Sequence, residues 1–522
     1  MARRTLLRVL LEERGCHRYA AFDAEFGRAA ELAAKELGRP ALGTVTASQA
    51  TWKRWLSGEQ MPRADTATVL EHWLGADVMT LLQTVAEDRD TPRSLIDEDV
   101  ARATARDLDD AFGGSSLRFS ETTTGLEGRW YLSGRHRFDG TQLPVQIYEA
   151  DEHDGLVVIG AADQPHVRHF IRPTRRALVL AVSKERAYAL DAAYAKRSRV
   201  PGGDMLTIPS AYLVDQLTYA LLWAMTNIDD SLQADDAVLH AERQRLGPYL
   251  GQPRSAMARA AMPELSNVSA AWLGMHVCAR HITRQLAGTS APPLFWTPVP
   301  SAEDAAAWLF FACWPEYQRA VEDHGDAAAP SERALYIPDD VLREARPHER
   351  ILLWLGVALM ELHGLEVRVY ADPGYARTDA FVVVPDTKVI VTNWMAEHGI
   401  WHVDTSDALT DVRACAELLD RARGHAVTEG ATPERRLRSL ADRLDLDWEW
   451  LTRRCAELAE FGTGGLLRPR SRLVDTAELD AVLAFAGRLG EADPPDGAPA
   501  VDGTTLKRPS GFVAPNARDA AG

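Results

Sequence analysis

Cysteine is scarce in this chain of 522 residues: Cys16, Cys278, Cys313, Cys415 and Cys455 are odd in number and widely scattered. No CxxC pair occurs, which excludes a secreted disulfide framework and points to reduced thiols in a cytoplasmic setting. Long apolar runs are missing as well. Nowhere do about 18 uncharged apolar residues follow one another, so no membrane-spanning helix and no membrane partner are expected. Near the N-terminus, Thr5-Leu6-Leu7-Arg8-Val9-Leu10-Leu11 is interrupted by Arg8 and followed by Glu12-Glu13-Arg14, so it fails as the apolar core of a secretion signal. The common catalytic loops are absent too: no GxxxxGKS/T, no GxGxxG after a strand, no GxSxG and no HExxH. Gly462-Thr463-Gly464-Gly465 is an isolated glycine turn. No cofactor and no enzymatic activity are expected.

Positive charge is in short supply. Lys plus Arg number 58 against 75 Asp plus Glu, a net charge of −17, which excludes nonspecific coating of nucleic acid. The deficit is uneven. Residues 1–63 carry 11 basic and 7 acidic residues, a net of +4, so the remainder carries −21. Otherwise the composition, 46% apolar and 25% charged, is that of an ordinary globular protein, and the length predicts roughly three or four domains.

Patterning divides the chain. Residues 3–37 read as helices, with Phe22, Phe26, Ala30, Ala33 and Leu37 on one face of a 3.6-residue period. A charge-rich stretch from Glu87 to Asp110, ending in Gly113-Gly114-Ser115-Ser116, marks a boundary. From 117 to 182 short β-rich runs dominate: Trp130–Leu132, Val145–Tyr148, Leu156–Ile159 and Ala177–Val182. Helices return from 209 to 325, and residues 349–363 read as a buried helix because Ile351 to Leu355 leave no polar face. Strands are expected at Leu365–Tyr370, Ala380–Val384 and Lys388–Thr392, the last two joined as a hairpin by Pro385-Asp386-Thr387. Helical patterning resumes from 407 to about 460, and the Pro-, Gly- and Asp-rich tail from Gly490 reads as disordered.

The most informative stretch runs from Ala47 to Gly58. Ser48 is suited to cap a short helix and Gly58 to end it in the left-handed region. Trp52, Trp55 and Leu56 share an inward face, leaving Gln49, Ala50, Lys53 and Arg54 outward. An outward Gln can pair with an adenine edge, and Lys or Arg with guanine edges or phosphates. Pro62 follows, and then a second amphipathic helix with Ala67, Leu70, Trp73 and Leu74 on one face, ending at Gly75. From Ala47 to Gly75 the sequence resembles the Cro/repressor-type, XRE-like helix-turn-helix family of bacterial regulators. That resemblance implies base contact by Gln49 and Ala50, base or phosphate contact by Lys53 and Arg54, and double-stranded DNA as the partner. It departs from the family in the residues Arg39 to Thr46, which replace the usual tight turn.

Other constellations have simpler readings. Asp229-Asp230 resembles the metal motif of isoprenoid synthases, but Gln233 and Ala234 stand where its third carboxylate belongs. Acidic residues solvating a helix end and capping the next explain it, and no metal is expected. His276, Cys278 and His281 lack a fourth zinc ligand and read as core. Phe295, Trp296, Trp308, Phe310, Phe311, Trp314 and Tyr317 read as core before they read as a pocket. The run 349–423 loosely resembles the second half of phospholipase-D-like domains in a degenerate, sensor form, because no histidine is followed two residues later by the lysine that hydrolysis needs. Residues 433–468 follow winged-helix spacing, but Asp447-Trp448-Glu449-Trp450 would repel phosphate, so a packing or dimerisation helix pair is expected.

The sequence therefore predicts a multidomain α+β protein, an N-terminal all-α helix-turn-helix bundle followed by mixed α/β and helical effector domains. The expected layout is a DNA-binding domain at 1–85, a linker at 86–116, a mixed α/β then helical effector domain at 117–325, a sensor-like α/β domain at 326–425, C-terminal helices at 426–489 and a tail at 490–522. The expected function is sequence-specific transcriptional regulation by a homodimer responding to a small-molecule effector or partner. The apolar helices at 209–225 and 349–363 are expected to supply the two-fold interface. The alternative is a ligand-binding or catalytic effector whose N-terminal bundle contacts protein.

Overall fold

The computed structural model describes residues 5–14, 16, 18–74, 77–82, 96, 98–122, 125–160, 176–197, 206–248, 252, 254–258, 263–314, 317, 331–393 and 400–491. Mixed α/β architecture with three sheets is observed, and it begins with five helices. These are α1 (Leu6–Glu13), α2 (Tyr19–Glu36), α3 (Gln49–Leu56), α4 (Ala64–Leu74) and the short α5 (Val78–Leu81). Their apolar faces close on a core of their own, which includes Leu7, Leu11, Phe22, Phe26, Trp52, Trp55, Val69, Leu70 and Leu81 and, among the described residues, draws on none beyond 82. Phe22, Phe26, Ala30 and Ala33 face inward as their period requires. Leu37 does not. It is 46% exposed, because α2 ends at Glu36 and Gly38 turns the chain away at φ +63°. Residues 39–46 then enter a 3-10 turn over Pro40–Thr44 that buries Leu42.

Within the stretch expected as a linker lies α6 (Glu98–Ala111). Ala101, Ala105 and Leu108 recur at i, i+4 and i+7, and this narrow stripe is buried beside β1 (Ser115–Thr122). The following strands are β2 (Gly125–Leu132), β3 (Thr141–Glu149), β4 (Asp151–His153), β5 (Leu156–Ile159), β6 (Leu178–Ser183) and β7 (Arg186–Asp191). After α7 (Ala192–Arg197) comes β8 (Leu206–Pro209). They form a five-stranded sheet ordered β1-β2-β3-β6-β7 and a three-stranded sheet ordered β4-β5-β8. Only the β3–β6 pair is parallel in the first of these.

Two helices, α8 (Gln216–Ala234) and α9 (Asp236–Leu246), lead to β9 (Arg254–Ala258), α10 (Asn267–Leu286), β10 (Leu294–Pro298) and α11 (Asp304–Phe310). Then follow β11 (Glu332–Tyr336), α12 (Asp339–Glu344), α13 (Pro347–Leu362), β12 (Glu366–Tyr370), β13 (Ala380–Val384), β14 (Lys388–Thr392) and β15 (Ile400–Ser406). The seven strands β9 to β15 make one sheet, ordered β12-β11-β10-β13-β14-β15-β9. It takes hydrogen-bonded strands from both sides of residue 325, where the sequence suggests a domain division, and β9 and β10 lie in a region read as helical. β10, β11 and β12 are parallel, and β13 and β14 form the expected hairpin, with Asp386 in its turn at φ +54°. Alternate side chains serve two cores. Phe295, Leu335, Val367 and Val382 join the main core, whereas Trp296, Tyr336, Phe381 and Val383 pack under α14 (Leu409–Arg423).

The chain closes with α15 (Pro433–Arg443), α16 (Trp448–Phe461) and α17 (Ala477–Glu491). α16 lies along α17 with Trp448, Leu451, Cys455 and Leu458 buried, so its main packing partner is a helix beyond the pair expected within 433–468. The tail expected from 490 falls, beyond Glu491, outside the described residues. α8 and α13 touch at the centre of the main core, where every residue from Leu217 to Asp229 and from Ile351 to Glu361 is buried. This corrects the two-fold interface expected at 209–225 and 349–363: the apolar lengths of these helices are consumed inside the chain's own core. Among the described residues no helix is long and apolar enough to cross a membrane.

Candidate nucleic-acid interface

The position of α3 follows from contacts on three sides. At its start, Ser48 Oγ accepts a hydrogen bond from Thr51 N at 3.2 Å, and the Tyr19 hydroxyl donates to Ala47 O at 2.7 Å. At its end, Thr5 Oγ1 donates to Leu56 O at 2.9 Å, and Gly58 takes the left-handed conformation at φ +70°. On the inward face Trp52 and Trp55 are buried, with the Trp52 ring 5.7 Å from Phe22 and 5.8 Å from Tyr19. Such aromatic packing fixes the roll of the helix as well as its location.

That roll leaves Gln49, Ala50, Lys53 and Arg54 exposed together on the outer face. Among the described residues the side chains of Gln49, Lys53 and Arg54 form no hydrogen bond or ion pair. Two other cations of the bundle are engaged: Arg28 pairs with Glu25 at 2.7 Å and Arg39 with Asp65 at 2.5 Å. The outer face of α3 thus carries one amide and two uncompensated positive charges on a helix whose register is fixed from behind. Arg63, in the loop before α4, is a further exposed cation without an ion pair among the described residues. Sequence reasoning passed over it because it lies on no helical face.

The other constellations are dispersed or structural. Asp229 does not solvate a helix end. It is buried, taking hydrogen bonds from Arg176 Nη2 at 2.7 Å and from the amides of Arg470 and Ser471 at 3.0 Å. Asp230 is engaged by Thr141, and Asp235 caps the approach to α10 by accepting from Ser266. His276 stacks on Trp272 at 5.3 Å, and burial, reinforced by Arg243 and Arg280, pushes its pKa down to about 4. His281 meets Thr405 Oγ1 at 3.1 Å. Among the described residues no group of three His, Cys, Asp or Glu side chains is placed to hold a metal ion. The aromatic series is buried, and Phe295, Trp314 and Tyr317 surround the Arg333 guanidinium at 4.4 to 5.7 Å. The chain matches no protein-family model, no curated protein and no solved structure.

Proposed function

We propose that this protein is a sequence-specific DNA-binding transcriptional regulator whose α3 enters the major groove as the second helix of a helix-turn-helix. The observation that carries the reading is the exposed Gln49, Lys53 and Arg54 face, free of carboxylates and held rigid by Trp52 and Trp55. An Asn or Gln amide is matched to an adenine edge, and each good bidentate pair discriminates by about 1–3 kcal/mol. Lys53 and Arg54 supply phosphate or guanine contact, and phosphate contact makes affinity fall with salt. The XRE-like resemblance of residues 47–75 supports the same docking, with the 3-10 turn at Pro40–Thr44 in place of the family's tight turn.

The protein binds as a dimer in this reading. One basic face on a body of −21 neutralises few phosphates, and two copies on adjacent half-sites make the second contact intramolecular. The larger part of the chain, with its central α/β core, is the effector region. Nuclease protection by the full chain, on duplexes selected by it from a random pool, tests the assignment. A defined protected sequence supports it, and selection of no preferred sequence contradicts it.

A further inference from the structure

We propose that Arg197, Arg468 and Arg470 form a binding site for a small phosphorylated molecule, built on a buried frame of Asp191, Arg176 and Asp229. The site lies far in sequence from α3 and does not depend on the DNA reading.

The frame is pre-organised. Asp191 Oδ1 accepts from the amides of Ala193 and Tyr194 at 2.9 and 3.0 Å, while Oδ2 accepts from Arg470 Nη2 at 2.8 Å and Arg176 Nη1 at 3.4 Å. Arg176 Nη2 reaches both Asp229 at 2.7 Å and the carbonyl of Arg468 at 2.8 Å. The segment 468–471 is therefore fixed at its first carbonyl and, through Asp229, at its last two amides. The glycine turn before it fits closely as well. The Asp191 amide donates to Gly465 O at 2.8 Å, and a Cβ at Gly465 would lie 2.6 Å from the Tyr212 hydroxyl.

Charge does not balance here. Arg176 and Arg470 pair with the carboxylates of Asp191 and Asp229, the Arg468 backbone is tied to Arg176, and Arg197 follows Asp191 on α7, so four arginines meet two aspartates among the described residues here, in a chain whose net charge is −17. Arg176 and Arg470 are engaged by the aspartates. Arg197 and Arg468 are exposed and form no ion pair among the described residues. Partial burial and then the charge of Arg468 lower the pKa of Arg197, although the carboxylate of Asp191 acts in the opposite sense. Guanidinium groups that outnumber the carboxylates beside them are relieved by an anion, and guanidinium forks match phosphate oxygens two at a time. Tyr194, 39% exposed and three residues before Arg197 on α7, offers a ring to an organic group attached to that phosphate. The strongly acidic body around this small patch favours a compact anion over a polyanion.

Calorimetric titration of the full chain with inorganic phosphate, pyrophosphate and AMP tests the site, alongside the double variant Arg197→Ala/Arg468→Ala. Both residues are exposed, so the variant is expected to keep the parent's melting temperature. Saturable binding of at least one of these anions, weakened about tenfold or more in the variant, is the expected result. AMP binding more tightly than phosphate would place an organic group beside Tyr194, and equal affinities would leave a bare phosphate site; either supports the proposal. Absence of saturable binding to all three anions would overturn it. So would equal binding by the double variant, or loss of duplex-DNA binding alone, which would make the patch a nucleic-acid surface.

Discussion

Phe22 and Trp52 stack with ring centroids 5.7 Å apart and planes 26° apart, so the scaffold helix α2 sets which side of α3 faces outward. The proposed reading head depends on this contact although neither ring would touch DNA. Trp52→Ala removes a buried indole from a small core and is expected to cost about 3–5 kcal/mol. Thermal melting followed by near-UV dichroism would show early loss of the N-terminal helices. An unchanged melt would mean that Trp52 does not anchor α3.

This part of the fold was legible because its determinants are local. Ser48, Trp52, Trp55 and Gly58 span barely three turns, and helical period alone assigns cap, core, surface and stop. The hairpin at Pro385–Thr387 is local in the same sense. What escaped was long-range. β9 pairs with β15 across Arg254 and Asp404, and no periodicity within 209–325 reveals a strand whose partner lies that far away. α6 was hidden by charge around its Ala101–Leu108 stripe. The buried state of α13 was readable from its apolar circumference, but not that α8 already occupies the surface it would have offered a second copy.

The Asp229 network is the clearest case of long-range chemistry. Its partners Arg176 and Arg470 lie 53 and 241 positions away. Asp229→Asn leaves a buried Arg176 short of counter-charge and is expected to cost about 3–5 kcal/mol. Asp236→Asn, which loses only a solvent-exposed pair with Arg472 at 3.4 Å, should change stability by less than about 1 kcal/mol. Urea denaturation separates the two, and equal effects would contradict the frame described above.

Acid should weaken the main core through His348. Its ring sits edge-on to Tyr219 and Trp223 at 4.9 and 4.8 Å, with Nε2 buried and unpartnered among the described residues. Burial first, then the charges of Arg346 and Arg135, push its pKa down to about 3 from an ordinary 6.5. The folded pKa lies below the unfolded one, so the contribution is present above pH 6.5 and is lost as pH falls toward 3. Between pH 7 and pH 5 the native state should lose about 2 kcal/mol from this group alone. Urea midpoints at the two pH values measure it, and His348→Gln should flatten the slope. An unaltered slope would show that His348 takes up its proton as readily in the folded protein as in the unfolded one.

Dimerisation should be visible in the DNA complex. The full chain is expected to protect two half-sites about one helical turn apart. Residues 1–85, whose core among the described residues takes in none beyond 82, should bind the same duplex far more weakly. Full affinity of the isolated segment for a single undivided site would contradict a dimeric reader.

The most direct test of the central claim compares Gln49→Ala and Lys53→Ala in the full chain, with affinity for the selected duplex measured across a range of salt concentrations. Gln49→Ala should cost about 1–3 kcal/mol and relax preference at one base pair, leaving the salt slope unchanged. Lys53→Ala, as a phosphate contact, should weaken all sequences alike and reduce the slope by about one. Parent-like affinity, specificity and salt dependence in both variants would contradict DNA reading by α3.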